Sequence, residues 1–181
     1  MAADLDELLA GAADYEEKLE ILRRFRSEEF LRIAMSDLHG QMPQGEGPLQ
    51  LSFLADVCLN KAVAIAREEL LPRYGLPFCQ GPEGEAHEAA FAILGMGKLG
   101  GMELNYHSDL DIIFIYEGNG ETRPAEGADP ERFRPQSNQE YFSRLAQRII
   151  SVLTLITREG YVYQIDTRLR GLEVEMHLLA P

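Results

Sequence analysis

The sequence of 181 residues has no tryptophan and few basic residues. It contains 17 lysines and arginines but 30 aspartates and glutamates, so its net charge is −13. This shortage argues against binding to duplex nucleic acid, because phosphate contacts need clustered positive charge. An acidic chain can still bind a nucleoside triphosphate if a divalent cation supplies the positive charge. We therefore expect no nucleic-acid partner.

Cysteine and histidine are also scarce, and neither shows the spacing of a metal-binding motif. The two cysteines, Cys58 and Cys79, form no C-x-x-C pair. This pattern is typical of reduced thiols and argues against a structural zinc site. The histidines likewise have no partner at ligand spacing, so the sequence predicts no metal role for them: His39, His87, His107 and His177.

Long apolar runs are absent as well. No run approaches the roughly 20 residues that a membrane-spanning helix needs. The N-terminal stretch "MAADLDELLA" is acidic and has no signal-peptide character. We therefore expect a soluble, cytoplasmic protein with no membrane partner. The 45% of hydrophobic residues is enough for an ordinary globular core.

Helical patterns dominate the first part of the chain. Asp14 and Glu17 resemble a capping box that begins one helix, and Ser27 is placed to begin a second. A turn-rich break then precedes a longer amphipathic helix that ends near Gly75. We assign residues 1–80 to a helical N-terminal region, with a linker at its end, residues 76–90.

The hydrophobic pattern changes to that of strands after the linker. Three strands are predicted, at residues 90–94, 110–116 and 161–166. The first is predicted to be buried. Residues 117–136 are predicted to form a long polar loop. The pattern predicts an α+β fold with a core domain at residues 81–170.

A strong helix follows the polar loop. Ser137 and Glu140 form a capping box at its start. Its apolar face is predicted to extend to Ile156, and Gly160 stands at the usual position just past a helix end.

Three aspartates lie on the predicted strands. Asp109 and Asp111 are two residues apart, so both side chains project from one face. Two close carboxylates repel each other unless a hard cation such as Mg²⁺ binds them, although a solvated strand end is the alternative. Asp166 adds a third carboxylate. The set favours a site in which three carboxylates hold two metal ions for attack at phosphorus.

A glycine-rich turn precedes the first two aspartates. Gly95, Gly97 and Gly100 spell the dinucleotide-binding fingerprint, but a true dinucleotide site should continue with repeated βαβ units. The dinucleotide-binding domain is therefore a remote alternative. Gly100 and Gly101 lack a Cβ and would let backbone amides approach a triphosphate.

Three polar residues near the aspartates are candidates for phosphate contact. For Lys98 and Arg168, a surface role or pairing with a carboxylate is an equally open alternative. For Ser108, a structural role is equally open.

The stretch "GMGKLGGMELNYHSDLDIIF" resembles the signature of the glutamine synthetase adenylyltransferase family, within the polymerase-β-type nucleotidyltransferase superfamily. Similar stretches lie upstream, "LRRFRSEEFLRIAMSDL", and downstream, "EYFSRLAQRIISVLT". The resemblance implies N-terminal helices followed by a polymerase-β-like core, with a small mixed sheet flanked by helices. In that core, Asp109, Asp111 and Asp166 match the catalytic, metal-binding carboxylates.

The resemblance also implies an activity. Members of the family transfer AMP from ATP to a tyrosine of glutamine synthetase, which regulates nitrogen assimilation, and PII-type signal proteins are the implied regulators. A related domain has the opposed task of removing AMP by phosphorolysis. The core motif does not separate the two, but "RIAMSDLHGQMP" favours the adenylylating one. A catalytically incomplete fragment that only binds glutamine synthetase is a further alternative.

The C-terminal tail departs from the family pattern. Residues 171–181, "GLEVEMHLLAP", do not match the continuation found in relatives. We expect one nucleotidyltransferase domain whose cleft lacks surfaces that relatives supply. AMP transfer should then be slower than in an extended chain, because positioning supplies much of the rate.

Overall fold

The computed structural model describes residues 2–81 and 84–166. Helices come first and small sheets follow, which confirms the α+β class. The candidate Arg168 and the tail at residues 171–181 lie outside the described residues. In chain order the described elements are α1 (Ala2–Ala10), α2 (Tyr15–Leu38), α3 (Glu46–Tyr74), β1 (Leu76–Gln80), β2 (Ala86–Glu88), β3 (Phe91–Gly95), α4 (Gly97–Gly100), β4 (Leu110–Tyr116), β5 (Gly120–Arg123), α5 (Asn138–Thr154) and β6 (Ile165–Asp166).

Helix α2 begins where the capping pattern predicts. The Asp14 carboxylate accepts a hydrogen bond from the Glu17 backbone N–H at 2.9 Å, and the Ala13 N–H donates to the Glu17 carboxylate at 2.6 Å. The second helix start at Ser27 is wrong, because α2 continues through it to Leu38. No glycine or proline occurs within α2, so nothing interrupts its backbone hydrogen bonds.

Helix α3 is the central helix of the N-terminal region. It packs against both α2 and α5 and ends at Tyr74 with Gly75 as its C-cap, which confirms the predicted end near Gly75. By length and composition alone it could cross a membrane, and half of its most apolar window is buried inside the fold. Contacts with helices on two sides are typical of a core helix.

The strands form two three-stranded sheets. Strands β2, β1 and β5 pair in that order, and all of their pairings are antiparallel. The second sheet has the order β3, β4, β6 and is mixed, because β4 is antiparallel to β3 and parallel to β6. A mixed sheet is therefore confirmed, with a second small sheet beside it.

Two segments assigned as irregular contain strands. The linker prediction for residues 76–90 is wrong, because β1 and β2 form a hairpin there. The polar-loop prediction for residues 117–136 is wrong over β5, which pairs with β1. The pairing of β1 with β5 joins segments distant along the chain, which a local reading of proline and glycine does not detect. The domain boundaries at residues 80 and 170 stay predictions.

Helix α5 covers one face of the second sheet. Its capping box is confirmed, because the Ser137 hydroxyl accepts from the Glu140 N–H at 3.3 Å and the Glu140 carboxylate accepts from the Ser137 N–H at 3.2 Å. The Phe142 ring stacks on the Phe91 ring of β3, with centroids 5.6 Å apart. The opposite face of β3 is open, since Leu94 is 48% exposed. The first predicted strand is therefore only half buried.

The last helix and the last strand are both shorter than the sequence predicts. Helix α5 ends at Thr154, so Ile156, which is 71% exposed, lies outside its apolar face. Gly160 does not cap α5, because it instead closes a turn with Thr157 through reciprocal backbone hydrogen bonds. The third predicted strand is limited to β6.

Candidate active site

The start of β4 sets the direction of the first two aspartates. Leu110 and Ile112 are buried, and Asp109 and Asp111 on either side of Leu110 are exposed. This alternation follows from the strand period of two and from the apolar core beneath the sheet. The two carboxylates therefore project from the face opposite α5.

The third aspartate joins them through the pairing of β4 with β6. Asp111 and Asp166 are direct partners in this parallel pairing. The Leu110 N–H donates to the Gln164 carbonyl at 3.0 Å and fixes the register. Because neighbouring strands lie about 4.8 Å apart, paired residues project side by side on one face. Residues far apart in the sequence thus place three carboxylates on one face of the sheet, in one cleft, and we call this set the acid cluster.

The glycine turn closes the cluster from the side of β3. The Met96 N–H donates to the Asp111 carbonyl at 2.8 Å. Gly97 has a φ of +52°, and a Cβ at this position would lie 2.8 Å from the Asp111 carboxylate oxygen Oδ2. Only glycine fits here without strain, since the conformation is left-handed and the carboxylate occupies the space of a side chain.

The other two glycines of interest do not line the site. A Cβ on Gly100 would lie 2.5 Å from the Gly95 carbonyl oxygen, so the missing side chain lets α4 pack against the end of β3. Gly101 is exposed, and its nearest neighbour is the Glu103 side chain. A role of Gly100 and Gly101 in binding triphosphate stays a prediction.

A short loop between α4 and β4 is closed by its own hydrogen bonds. The Asn105 N–H donates to the Ser108 hydroxyl at 3.0 Å, and the Ser108 N–H donates to the Asn105 carbonyl at 3.1 Å. The Ser108 hydroxyl therefore has a structural partner. Its hydrogen can still be donated, because the bond to Asn105 uses only an oxygen lone pair.

The N-terminal helices hold this loop in place. The Ser52 hydroxyl of α3 accepts from the Leu104 N–H at 3.2 Å and donates to the Pro48 carbonyl at 2.9 Å. The Tyr106 hydroxyl donates to the Asp37 carboxylate of α2 at 2.7 Å. Sequence reasoning missed these anchors. The one available signal is a serine within the otherwise apolar face of α3, where Ser52 is fully buried.

The Tyr106 phenol is held in its neutral, hydrogen-bonding form. Loss of hydration by burial raises the pKa of Tyr106 to about 12, and the hydrogen bond to the negative Asp37 acts in the same direction. A neutral phenol can donate to the carboxylate, whereas a phenolate would repel it. The link between α2 and the loop is therefore present across the physiological pH range.

A cleft of about 460 Å³ brings most of the predicted site residues together. It contains all three aspartates and two of the phosphate-contact candidates, Lys98 and Ser108. The complete lining is Gly97, Lys98, Asn105, His107, Ser108, Asp109, Asp111 and Asp166. His107 belongs to this lining, although the sequence predicts no metal role for it.

The donor set of the cleft suits a hard divalent cation. Among the described residues, neither Asp109 nor Asp111 forms a salt bridge with lysine or arginine. Exposed carboxylate oxygens on one face are the ligands that Mg²⁺ takes, together with water and phosphate oxygens. Asp109, Asp111 and Asp166 are thus the residues that could hold such an ion.

The dinucleotide alternative does not agree with this geometry. Strands β3 and β4 are antiparallel, and α4 between them has only four residues. A dinucleotide fingerprint requires a parallel crossover with a full helix, whose N-terminus faces the pyrophosphate. The glycine turn instead crowds Asp111.

Comparison with known proteins identifies the family of this chain. The family model described as glutamate-ammonia ligase adenylyltransferase matches residues 1–173. The chain belongs to this family. The match includes the N-terminal helices, the glycine turn and all three aspartates.

Several curated relatives share the same region. Each is named bifunctional glutamine synthetase adenylyltransferase/adenylyl-removing enzyme. The protein from Burkholderia mallei is 44% identical over 171 residues, which are 93% of this chain and 17% of that protein. The one from Thioalkalivibrio sulfidiphilus is 38% identical over 172 residues, 94% of this chain and 17% of that protein. The chain thus spans about a sixth of the length of these relatives.

Proposed function

We propose that this chain is a nucleotidyltransferase that moves AMP from Mg²⁺–ATP to a tyrosine of glutamine synthetase. The observation that carries the proposal is the pairing of Asp111 with Asp166 across β4 and β6, with Asp109 on the same face. Family membership and the names of the relatives support the substrate class. By resemblance, we propose PII-type signal proteins as regulators in the cytoplasm.

The three carboxylates would bind the metal that accompanies the nucleotide. Asp109 and Asp111 would hold one ion shared with the triphosphate, and Asp166 would join them around a second. Bound Mg²⁺ would neutralise the triphosphate and favour the phenolate of the attacking tyrosine. The open side of the cleft leaves room for phosphate oxygens as the remaining ligands.

The reaction requires removal of one proton from the target tyrosine. The unperturbed pKa of a tyrosine is about 10, so its neutral form is a poor nucleophile. We assign Asp166 as the general base, because it lies at the edge of the acid cluster on β6. The phenolic oxygen forms a bond to the α-phosphorus, and the bond from that phosphorus to the oxygen of pyrophosphate breaks.

Lys98 and Ser108 would position the phosphates. Lys98 is exposed and would supply positive charge in the cleft that contains the three carboxylates. The Ser108 hydroxyl can donate to a phosphate oxygen while it still accepts from Asn105. Because the loop that carries Ser108 is anchored to α2 and α3, the Ser108 hydroxyl would keep its place as substrate binds.

The proposal is tested by incubating the chain with glutamine synthetase, Mg²⁺ and ATP labelled at the α-phosphate. We expect label on glutamine synthetase from the wild type and none from Asp111→Asn. Glu121→Gln is a matched control, because Glu121 is an exposed acid on a strand outside the cleft. Circular dichroism of all three proteins controls for folding.

A reverse assay and a binding measurement separate the alternatives. Release of ADP from adenylylated glutamine synthetase and phosphate would assign the opposed, adenylyl-removing reaction. Binding to glutamine synthetase with neither reaction would identify a catalytically incomplete module. Wild-type turnover by Asp111→Asn would contradict the assignment of the acid cluster.

A further inference from the structure

A second cluster of ligand-forming side chains lies outside the acid cleft. Cys79 on β1 and His87 on β2 are direct partners in the antiparallel hairpin. Glu117, which follows the last residue of β4, meets them from the other sheet. One ligand atom from each of the three residues lies within 4.8 Å of the other two.

The distances show that the three side chains converge on one point. His87 Nε2 lies 3.2 Å from Cys79 Sγ and 2.9 Å from Glu117 Oε1. A single ring nitrogen carries at most one hydrogen and cannot donate to both neighbours. The other Glu117 oxygen, Oε2, accepts from the Ala90 N–H at 3.0 Å, which aims Oε1 at the histidine.

We propose that Cys79, His87 and Glu117 bind a thiophilic divalent transition-metal ion of the Zn²⁺ class. Sulfur, imidazole nitrogen and carboxylate oxygen are the three donor types that zinc takes in proteins. A thiolate and a carboxylate balance the two positive charges, and the imidazole is neutral. Three protein ligands leave a fourth position for water or an external ligand.

The geometry needs little adjustment to hold this ion. Metal–ligand distances of about 2.0–2.3 Å around a tetrahedral ion place neighbouring donors roughly 3.3–3.6 Å apart. The observed separations of 3.2 and 2.9 Å require outward shifts of a few tenths of an ångström. The His87 side chain is 39% exposed and gives the ion a path from solvent, whereas Cys79 is 6% exposed.

Each of the three ligands must be in a particular protonation state to bind the ion. The Ala90 N–H, followed by the His87 hydrogen bond, lowers the pKa of Glu117, so its carboxylate is ready as a ligand. Burial and the nearby Glu117 raise the pKa of the Cys79 thiol, so the ion must displace its proton to solvent. Nε2 must present its lone pair, which puts the ring hydrogen of His87 on Nδ1.

The site is separate from the acid cleft. Asp111 lies at the beginning of β4 and Glu117 just past its end. Six residues of extended strand place them roughly 20 Å apart. The donors also differ in kind, since the cleft offers carboxylates suited to Mg²⁺ and the second cluster offers sulfur and nitrogen.

Cobalt(II) is a suitable probe, because a thiolate ligand gives it a charge-transfer absorption that oxygen ligands do not give. The metal-free chain is titrated with Co²⁺ in the presence of excess Mg²⁺, which competes for the acid cleft. We expect one Co²⁺ per chain with the thiolate absorption, and its displacement by Zn²⁺.

Variants assign the ligands. Cys79→Ser should abolish the thiolate absorption, and His87→Gln and Glu117→Gln should each weaken Co²⁺ binding at least tenfold, since loss of an outer-shell partner alone costs about 10- to 100-fold. Cys58→Ala and His39→Gln are matched controls of the same residue types and should leave the titration unchanged. Circular dichroism verifies the fold of each variant.

Two results would overturn the proposal. One is the absence of thiolate absorption in the wild type. The other is an absorption that persists in Cys79→Ser, or a Co²⁺ affinity of His87→Gln and Glu117→Gln that equals that of the controls.

Discussion

Replacing Gly97 with alanine tests the acid cleft most sharply. The added methyl group enters a residue with a φ of +52° and points at the carboxylate of Asp111. Two effects follow, and they act on different properties. Backbone strain lowers the free energy of unfolding, and displacement of Asp111 impairs the proposed chemistry.

The backbone strain in Gly97→Ala can be estimated from general values. A non-glycine residue in the left-handed region costs roughly 1–2 kcal/mol. The lower entropy of the unfolded chain with alanine offsets about 0.4–1 kcal/mol of this cost. The free energy of unfolding should therefore fall by about 1 kcal/mol.

The displacement of the Asp111 carboxylate is set by its contact with the new Cβ at position 97. The new Cβ would lie 2.8 Å from Asp111 Oδ2, and ordinary contact begins at 3.4 Å, so the oxygen must retreat by about half an ångström. Asp111 is exposed and can move at little cost in stability. A misplacement of about 1 Å can lower a rate 100-fold, so we expect AMP transfer to fall about 10- to 100-fold.

Gly40→Ala is the matched control. Gly40 has a φ of +65°, and no heavy atom lies within 4 Å of its added Cβ. Urea unfolding should show similar losses of stability in both variants. AMP transfer, and Mn²⁺ affinity measured by electron paramagnetic resonance, should fall only in Gly97→Ala. Equal rates in the two variants would refute the reasoning.

Three further predictions concern anchors, loops and pH. Ser52→Ala should lower the free energy of unfolding by about 1–3 kcal/mol, measured by urea unfolding, because the buried Leu104 N–H loses its partner. Limited proteolysis should cut within residues 124–136 and spare β5, which is paired with β1. The lowered pKa of Glu117 means that its contribution to stability is present above about pH 4.5 and is lost as pH falls below it. Metal-free Glu117→Gln should therefore show a flatter acid limb in thermal unfolding.

Local signals in the sequence were enough to predict several elements. The capping box of α5 and the bounds of β4 depend on neighbouring residues only, and both are confirmed. The clustering of Asp109, Asp111 and Asp166 followed from strand period and family resemblance, and the pairing of β4 with β6 brings them together.

Elements that depend on distant partners could not be predicted in this way. Strand β1 contains Pro77 and is followed by Gly81, a composition typical of a linker, yet it pairs on both sides. The same hairpin places Cys79 against His87. Because the two residues do not have the spacing of a metal-binding motif, the sequence did not predict this contact. The hydrogen bond between Ser52 and Leu104 likewise joins a helix to a loop 52 residues later.

The final prediction concerns coupling between the proposed metal site and the acid cleft, which lie at opposite ends of β4. An ion at Cys79, His87 and Glu117 would tie the β1–β2 hairpin to the end of β4. The register at the other end is fixed by pairing with β3 and β6, so the ion has no evident way to move Asp111. An ion that binds only the folded chain stabilises it by about 2.7 kcal/mol at a free concentration 100 times its Kd.

We therefore expect Zn²⁺ to raise the melting temperature of the wild type in the presence of excess Mg²⁺. The rise should disappear in Cys79→Ser, and the Mn²⁺ affinity of the acid cleft should be the same with and without Zn²⁺. A change in Mn²⁺ affinity that depends on Cys79 would show that the two sites communicate. Rigid strand pairing would then be the wrong description of β4, because coupling between sites requires an element with two arrangements.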